Sequence, residues 1–108
     1  MITVTVFNKN EKIVGVQLEG HAEYGKKGRD IVCSAVSILY FTLVNSLESF
    51  TNEEYELNGS EKINFQNVIL KKIPDKEAEL LFQSFLLGIT AIERKYGKKY
   101  ISILNQEV

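Results

Sequence analysis

One cysteine and one histidine are the whole stock of thiol and imidazole in this 108-residue chain. Structural zinc sites take about four Cys/His ligands and catalytic ones usually two or three histidines, so His21 and Cys33 alone imply no metal site. A CxxC redox pair is impossible with one cysteine. Neither a Walker A loop nor a GxGxxG fingerprint occurs, and no cofactor is implied. One pairing remains. It is a nucleophilic thiol on Cys33 with the His21 imidazole as general base and acid, provided the fold brings them together.

Both residues lie in the segment GHAEYGKKGRDIVC, 20–33. Asp30 stands where an N-cap belongs, just before an apolar run, which puts Cys33 at the third helical position. A helix N-terminus carries about half a positive charge and several unpaired N–H groups. Both favour thiolate, so the Cys33 pKa is expected to fall below its ordinary value. The same N–H groups could hold the oxyanion of a tetrahedral intermediate. His21 precedes Cys33 by twelve residues. A loop with Gly20, Gly25 and Gly28 can fold back and carry the imidazole to the sulfur. That loop is expected to be mobile over 22–29, with Tyr24 as its one apolar anchor. Asp30 has two competing roles, capping the helix or orienting His21, and the cap is favoured. Ser37 is one turn beyond Cys33 on the same face. It either hydrogen-bonds in the site or back-bonds to the Cys33 carbonyl.

Other readings compete. A lone Cys in an apolar helix is commonly an inert core residue. Lys26, Lys27 and Arg29 beside a helix N-terminus would suit an anion, which makes a non-catalytic anion-binding module the principal rival. A thiol redox sensor is a third class, and it would need a disulfide between chains.

The elements that must position these residues read plainly. Residues 2–7 alternate and are β-branched, hence a strand. Asn8–Glu11 reads as a turn. Residues 12–19 alternate again, with Val14, Val16 and Leu18 on one face, and complete a hairpin. Residues 31–47 are apolar nearly all round, as in a helix buried on more than one side. Tyr55–Leu57 reads as a short strand, Asn58-Gly59 as a hairpin turn, and 61–72 as the returning strand. Its apolar phase flips between Phe65 and Val68, which predicts a bulge near Gln66-Asn67. Asp75 caps a second helix with a stripe of Ala78, Leu81, Phe82, Phe85, Ile89, Ile92 and Tyr96, closed by Gly97. Residues 100–104 form a last strand. The order ββαββαβ gives an α+β fold, a mostly antiparallel sheet with two helices. Leu80, Leu87 and Ala91 lie off the stripe. They either cover a homodimer interface or contact the first helix.

Length sets one domain over 1–108, since domains cluster at roughly 100–150 residues. No run approaches the ~18–20 uninterrupted apolar residues of a membrane span, so no membrane association is expected. The N-terminal MITVTVFNKNEK has no signal-peptide pattern, and one cysteine allows no disulfide framework, so the cytoplasm is expected. Thirteen Lys+Arg against fourteen Asp+Glu argue against direct nucleic-acid binding by bulk electrostatics.

Residues 20–37, GHAEYGKKGRDIVCSAVS, resemble the signature of the ribosomal-processing cysteine protease Prp family. The matching positions are Gly20, His21, Ala22, Gly25, Gly28, Asp30, Ile31, Val32, Cys33 and Ser37, and the element order and length also resemble the family's. Ser34 departs from the small Ala common there, and a Ser could donate a hydrogen bond at that turn. The resemblance implies a catalytic Cys33 and His21, with Asp30 and Ser37 at further family positions. It also implies a substrate: a large-subunit ribosomal protein whose N-terminal extension is removed after a bulky aromatic residue.

Overall fold

The computed structural model describes residues 1–25 and 30–108. Strand β1, Ile2–Lys9, and strand β2, Lys12–Glu19, pair antiparallel as expected. Their turn is only Asn10-Glu11, both at positive φ (52° and 66°), the twist that two-residue hairpin loops prefer. A register shift beside Phe7 and Asn8 leaves Val14 without a cross-strand partner. The expected inward face is therefore corrected at one position: Ile13 joins Val16 and Leu18 in the core cluster, while Val14 is buried outside it. One extra residue in a strand reverses every side chain beyond it.

Helix α1 runs Ile31–Phe50 and buries Val32, Val36, Tyr40, Leu43 and Leu47. Its 20 residues and mean hydropathy of 1.6 are enough, by length and composition, to cross a membrane. Ser34, Ser37, Thr42 and Asn45 interrupt the run, and the buried stripe packs into the protein core instead. Burial also pushes the Tyr40 phenol up to about 12.

The second hairpin differs from expectation. Strand β3, Tyr55–Ser60, runs through Asn58-Gly59 without turning. The reversal comes later, in a 3-10 turn Glu61–Ile63 ended by Asn64 in the left-handed conformation (φ 48°, ψ 58°). Strand β4, Phe65–Leu70, then pairs with β3 and β2 in unbroken register, so the predicted bulge at Gln66-Asn67 is absent. The phase flip needs no extra residue: Ile63 lies in the turn, and within the regular strand half-buried Phe65 simply points to the face opposite buried Val68 and Leu70. The later reversal sets Tyr55 opposite Leu70 and Leu57 opposite Val68. A turn at Asn58-Gly59 would have left Val68 and Leu70 without those apolar neighbours.

Helix α2, Lys76–Tyr96, is capped by the Asp75 carboxylate at the Ala78 N–H and closed by Gly97 at φ 104°. Its stripe is buried at Ala78, Phe82, Phe85 and Ile89. Gly88 lets α1 approach closely, since a Cβ there would meet Leu39 Cδ1 at 2.8 Å. Leu80 and Leu87 are 69% and 74% exposed, so the alternative that they contact α1 is set aside. Strand β5, Ile101–Glu107, pairs parallel with β1. The five-stranded sheet has the order β3-β4-β2-β1-β5. Both helices share one core cluster with Val4, Val6, Val16, Val68 and Ile101, so they cover the same sheet face. The fold is thus the expected α+β sandwich.

Candidate active site

The loop after β2, the turn before β4 and the start of α1 line one cleft. Asp30 is buried, and its carboxylate is fully engaged. Oδ1 accepts from the N–H groups of Val32 and Cys33, each at 3.0 Å, and Oδ2 accepts from the Tyr24 N–H at 3.0 Å. Of its two competing roles, the structure has the cap, and the second oxygen anchors the loop rather than His21. Burial alone would push the Asp30 carboxyl up. The N–H groups of Cys33, Tyr24 and Val32 outweigh it, and the net direction is down.

These contacts define an expected result. Asp30→Ala removes a cap and leaves three N–H donors short of a partner, a loss of about 2 kcal/mol. Because the folded carboxyl is the stronger acid, its contribution is fully present above the unfolded carboxyl's range and is lost as pH falls through the folded value. Urea midpoints of wild type and Asp30→Asn should therefore differ most near neutrality and converge in acid. A gap that stayed constant down to acid pH would contradict this account.

The loop after β2 is tied down where it is described. Gly20 has φ +93°, and a Cβ there would sit 2.5 Å from the Met1 carbonyl oxygen, so only glycine fits this bend. Ala22 is buried in the core cluster. Tyr24 stacks edge-on against Tyr96 and Tyr100, with centroids 5.2 and 4.9 Å away. Within the expected mobile loop, Ala22 and Tyr24 make these contacts and the Asp30 bond, and residues 26–29 lie outside the described residues. Gly25 lines the cleft described below. Gly28, with Lys26, Lys27 and Arg29, lies outside the described residues.

Cys33 is half-buried at the helix start. Its Sγ accepts from the Ala22 N–H at 3.3 Å. That N–H belongs to the peptide unit joining His21 to Ala22, so the histidine backbone touches the sulfur. His21 and Cys33 line one cleft of about 790 Å³, with Asp30, Ser34, Ser37 and Asn64. No hydrogen bond links the imidazole to the thiol among the described residues. His21 Nε2 instead lies 2.7 Å from Asn64 Nδ2. Asn64 is the site residue that sequence reasoning missed. It stands 43 positions from His21, and its one local signal is the left-handed turn it occupies. Ser34 is exposed and Ser37 half-buried. Among the described residues the Ser37 hydroxyl makes neither of its two expected bonds.

Two electrostatic expectations are corrected. Burial pushes the Cys33 thiol up, not down. The Ala22 N–H opposes this, but the Asp30 carboxylate adds to the rise. The anionic cap offsets the helix terminus that was expected to favour thiolate. The N–H groups expected to bind an oxyanion are also occupied, since Val32 and Cys33 both donate to Asp30.

A half-buried thiol and an imidazole lining one cleft are the two groups a thiol hydrolase uses. The family model for cysteine protease Prp matches residues 1–102. The chain belongs to the cysteine protease Prp family. The ribosomal processing cysteine protease Prp of Staphylococcus aureus is 31% identical over 99 residues, 91% of this chain and 93% of that relative. Its counterpart in Bacillus subtilis is 28% identical over 101 residues, 89% and 90% of the two chains. The crystal structure of S. aureus Prp with a covalently linked product peptide superimposes with a TM-score of 0.91 at 30% identity, covering 98% of this chain and 100% of that one. The protein is therefore a cysteine protease, and the non-catalytic and redox readings fall away.

The cleft has an extension. Phe41, Gly59 and Gln66 also line a second depression of about 280 Å³, with Tyr40, Val44, Leu57 and Asn58. Together they form a groove that runs from Cys33 along α1 beside the edge strand β3. Its far part is largely apolar. These are walls that the sequence left unnamed.

Proposed function

We propose that this chain is an endopeptidase that removes the N-terminal extension of a large-subunit ribosomal protein, with Cys33 as nucleophile and His21 as general base and acid. One observation carries the reading. A cysteine protease with a single cysteine has a single thiol to use, and Cys33 faces the same cleft as the chain's one histidine. The names of the S. aureus and B. subtilis relatives support a ribosomal substrate. The peptide covalently held by the S. aureus protein supports a peptide in this cleft.

His21 takes the proton from the Cys33 thiol, and the sulfur attacks the scissile carbonyl carbon. The tetrahedral intermediate collapses as the imidazolium protonates the leaving amine, the C–N bond breaks and a thioester remains. Water, deprotonated by His21, attacks the thioester. The C–S bond then breaks, the acid product leaves and the thiol regains its proton. A thiol pushed up is mostly protonated at neutral pH, so the base is essential rather than auxiliary.

The substrate's bulky apolar residues lie along the α1–β3 groove. Phe41→Asp, at a half-exposed groove residue that touches no reacting atom, is expected to raise KM about tenfold, ~1.4 kcal/mol of binding, with kcat nearly unchanged. Steady-state kinetics on a peptide spanning the cut would check it, and an unchanged KM would remove Phe41 from the binding surface. The exposed Leu80, Leu87 and Ala91 on α2 favour a homodimer. The low net charge of -1 favours a protein partner over nucleic acid. The expected place of action is the cytoplasm, where ribosomal proteins are made.

The deciding experiment is mass spectrometry of the extended ribosomal protein incubated with this chain. A single cut after an aromatic residue is expected. An intact substrate would overturn the assignment.

A further inference from the structure

The imidazole of His21 is exposed, and a free ring on a loop end samples several rotamers and both neutral tautomers. We propose that Asn64 is a positioning residue that holds His21 by Nε2 and leaves Nδ1 as the nitrogen that exchanges a proton with Cys33. This rests on the protease reading above.

The observation is the 2.7 Å approach of the Asn64 amide to His21 Nε2. It is backed by the backbone. The Gly20 N–H donates to the Asn64 carbonyl at 2.9 Å, which ties the residue before the histidine to the residue that grips it. The end of β2 and the turn before β4 are thus joined by backbone as well as by side chains. An amide rotated by 180° presents oxygen instead of nitrogen at the same distance. No other described residue hydrogen-bonds the Asn64 side chain, so both orientations are open to it. The chemistry selects one. Once His21 has taken the thiol proton, both ring nitrogens carry hydrogen, and only the amide oxygen can then accept from Nε2–H. The same orientation before transfer keeps the proton on Nε2 and the lone pair on Nδ1. A Cys–His pair steadied by an amide is a known solution on unrelated folds.

Asn64 also suits its left-handed turn, a conformation that asparagine tolerates. The test must separate that role from the grip on the ring. Asn64→Gly keeps the backbone freedom and removes the amide. Asn64→Asp keeps both the turn and an oxygen acceptor. The chain has one histidine, so imidazole 15N spectra report on His21 alone. Wild type should show mainly the Nε2–H tautomer. Asn64→Gly should show a mixture, with alkylation of Cys33 by iodoacetamide and kcat on a cleavable peptide both slowed about tenfold or more, KM little changed and the thermal midpoint retained. Asn64→Asp should restore the tautomer preference. An Nδ1–H tautomer in wild type, or unchanged spectra and alkylation in Asn64→Gly, would overturn the proposal. Neither readout needs the ribosomal substrate. Failure to cut that substrate with tautomer selection intact would count against the proposed function alone.

Discussion

Cys33→Ala is expected to lower kcat/KM for peptide cleavage by on the order of 10⁴-fold or more, since removing a covalent nucleophile leaves only binding and residual polarisation. The chain has no second thiol to substitute for it. The fold should survive. Cys33 is half-buried, its backbone N–H still reaches Asp30 Oδ1, and the loss at the sulfur is one weak acceptor for the Ala22 N–H. Circular dichroism and a thermal midpoint within a few degrees of wild type would establish that the variant is folded. Binding of uncleaved peptide should persist, because the groove along Phe41 and Leu57 is untouched. A variant that still cut at more than about one per cent of the wild-type rate would exclude Cys33 as nucleophile. Cys33→Ser retains a hydroxyl of similar size. It should fare nearly as badly, because a hydroxyl is a weak nucleophile unless strongly activated.

His21→Ala is expected to cost about 10²–10⁴-fold at neutral pH, the range of a general acid–base group. The direction of the Cys33 shift adds a sharper signature. Burial and the Asp30 carboxylate raise the thiol above a free cysteine's value, so the thiolate fraction near neutrality is smaller than for free cysteine. Without the imidazole the reaction must wait for spontaneous ionisation. The residual rate should then climb about tenfold per pH unit through neutral and mildly alkaline solution, and level off only above the thiol pKa. Alkylation of Cys33 by iodoacetamide should follow the same curve, with no peptide involved. A residual rate independent of pH would mean that Cys33 is already a thiolate in the folded protein. The two outcomes distinguish a base-dependent thiol from a preformed ion pair.

Asp30 links the stability of this site to its chemistry. The carboxylate that completes α1 and ties Tyr24 to the helix also raises the thiol it sits beside. A neutral cap would relieve that pressure while weakening the scaffold.

Features settled within a few residues were legible before any coordinates. Asp30 and Asp75 cap helices because a short side chain meets N–H groups two and three residues on. Gly97 ends α2, the alternation of 2–7 and 12–19 forms a hairpin, and Cys33 and His21 stand out by scarcity alone. Features set by residues distant in the chain were not legible. The Asn58-Gly59 pair has strong local turn chemistry, yet pairing Leu57 with Val68 and Tyr55 with Leu70 moves the reversal to Asn64. Asn58 is then spent in an amide ladder through Asn67 to Gln17. The parallel pairing of β5 with β1, the groove between α1 and β3, and the meeting of Asn64 with His21 all depend on how the layers stack. So does the thiol's direction. The helix terminus could be read from the chain, but burial and the carboxylate of the cap outweigh it, and burial arises only once Ala22 and the core pack against Cys33.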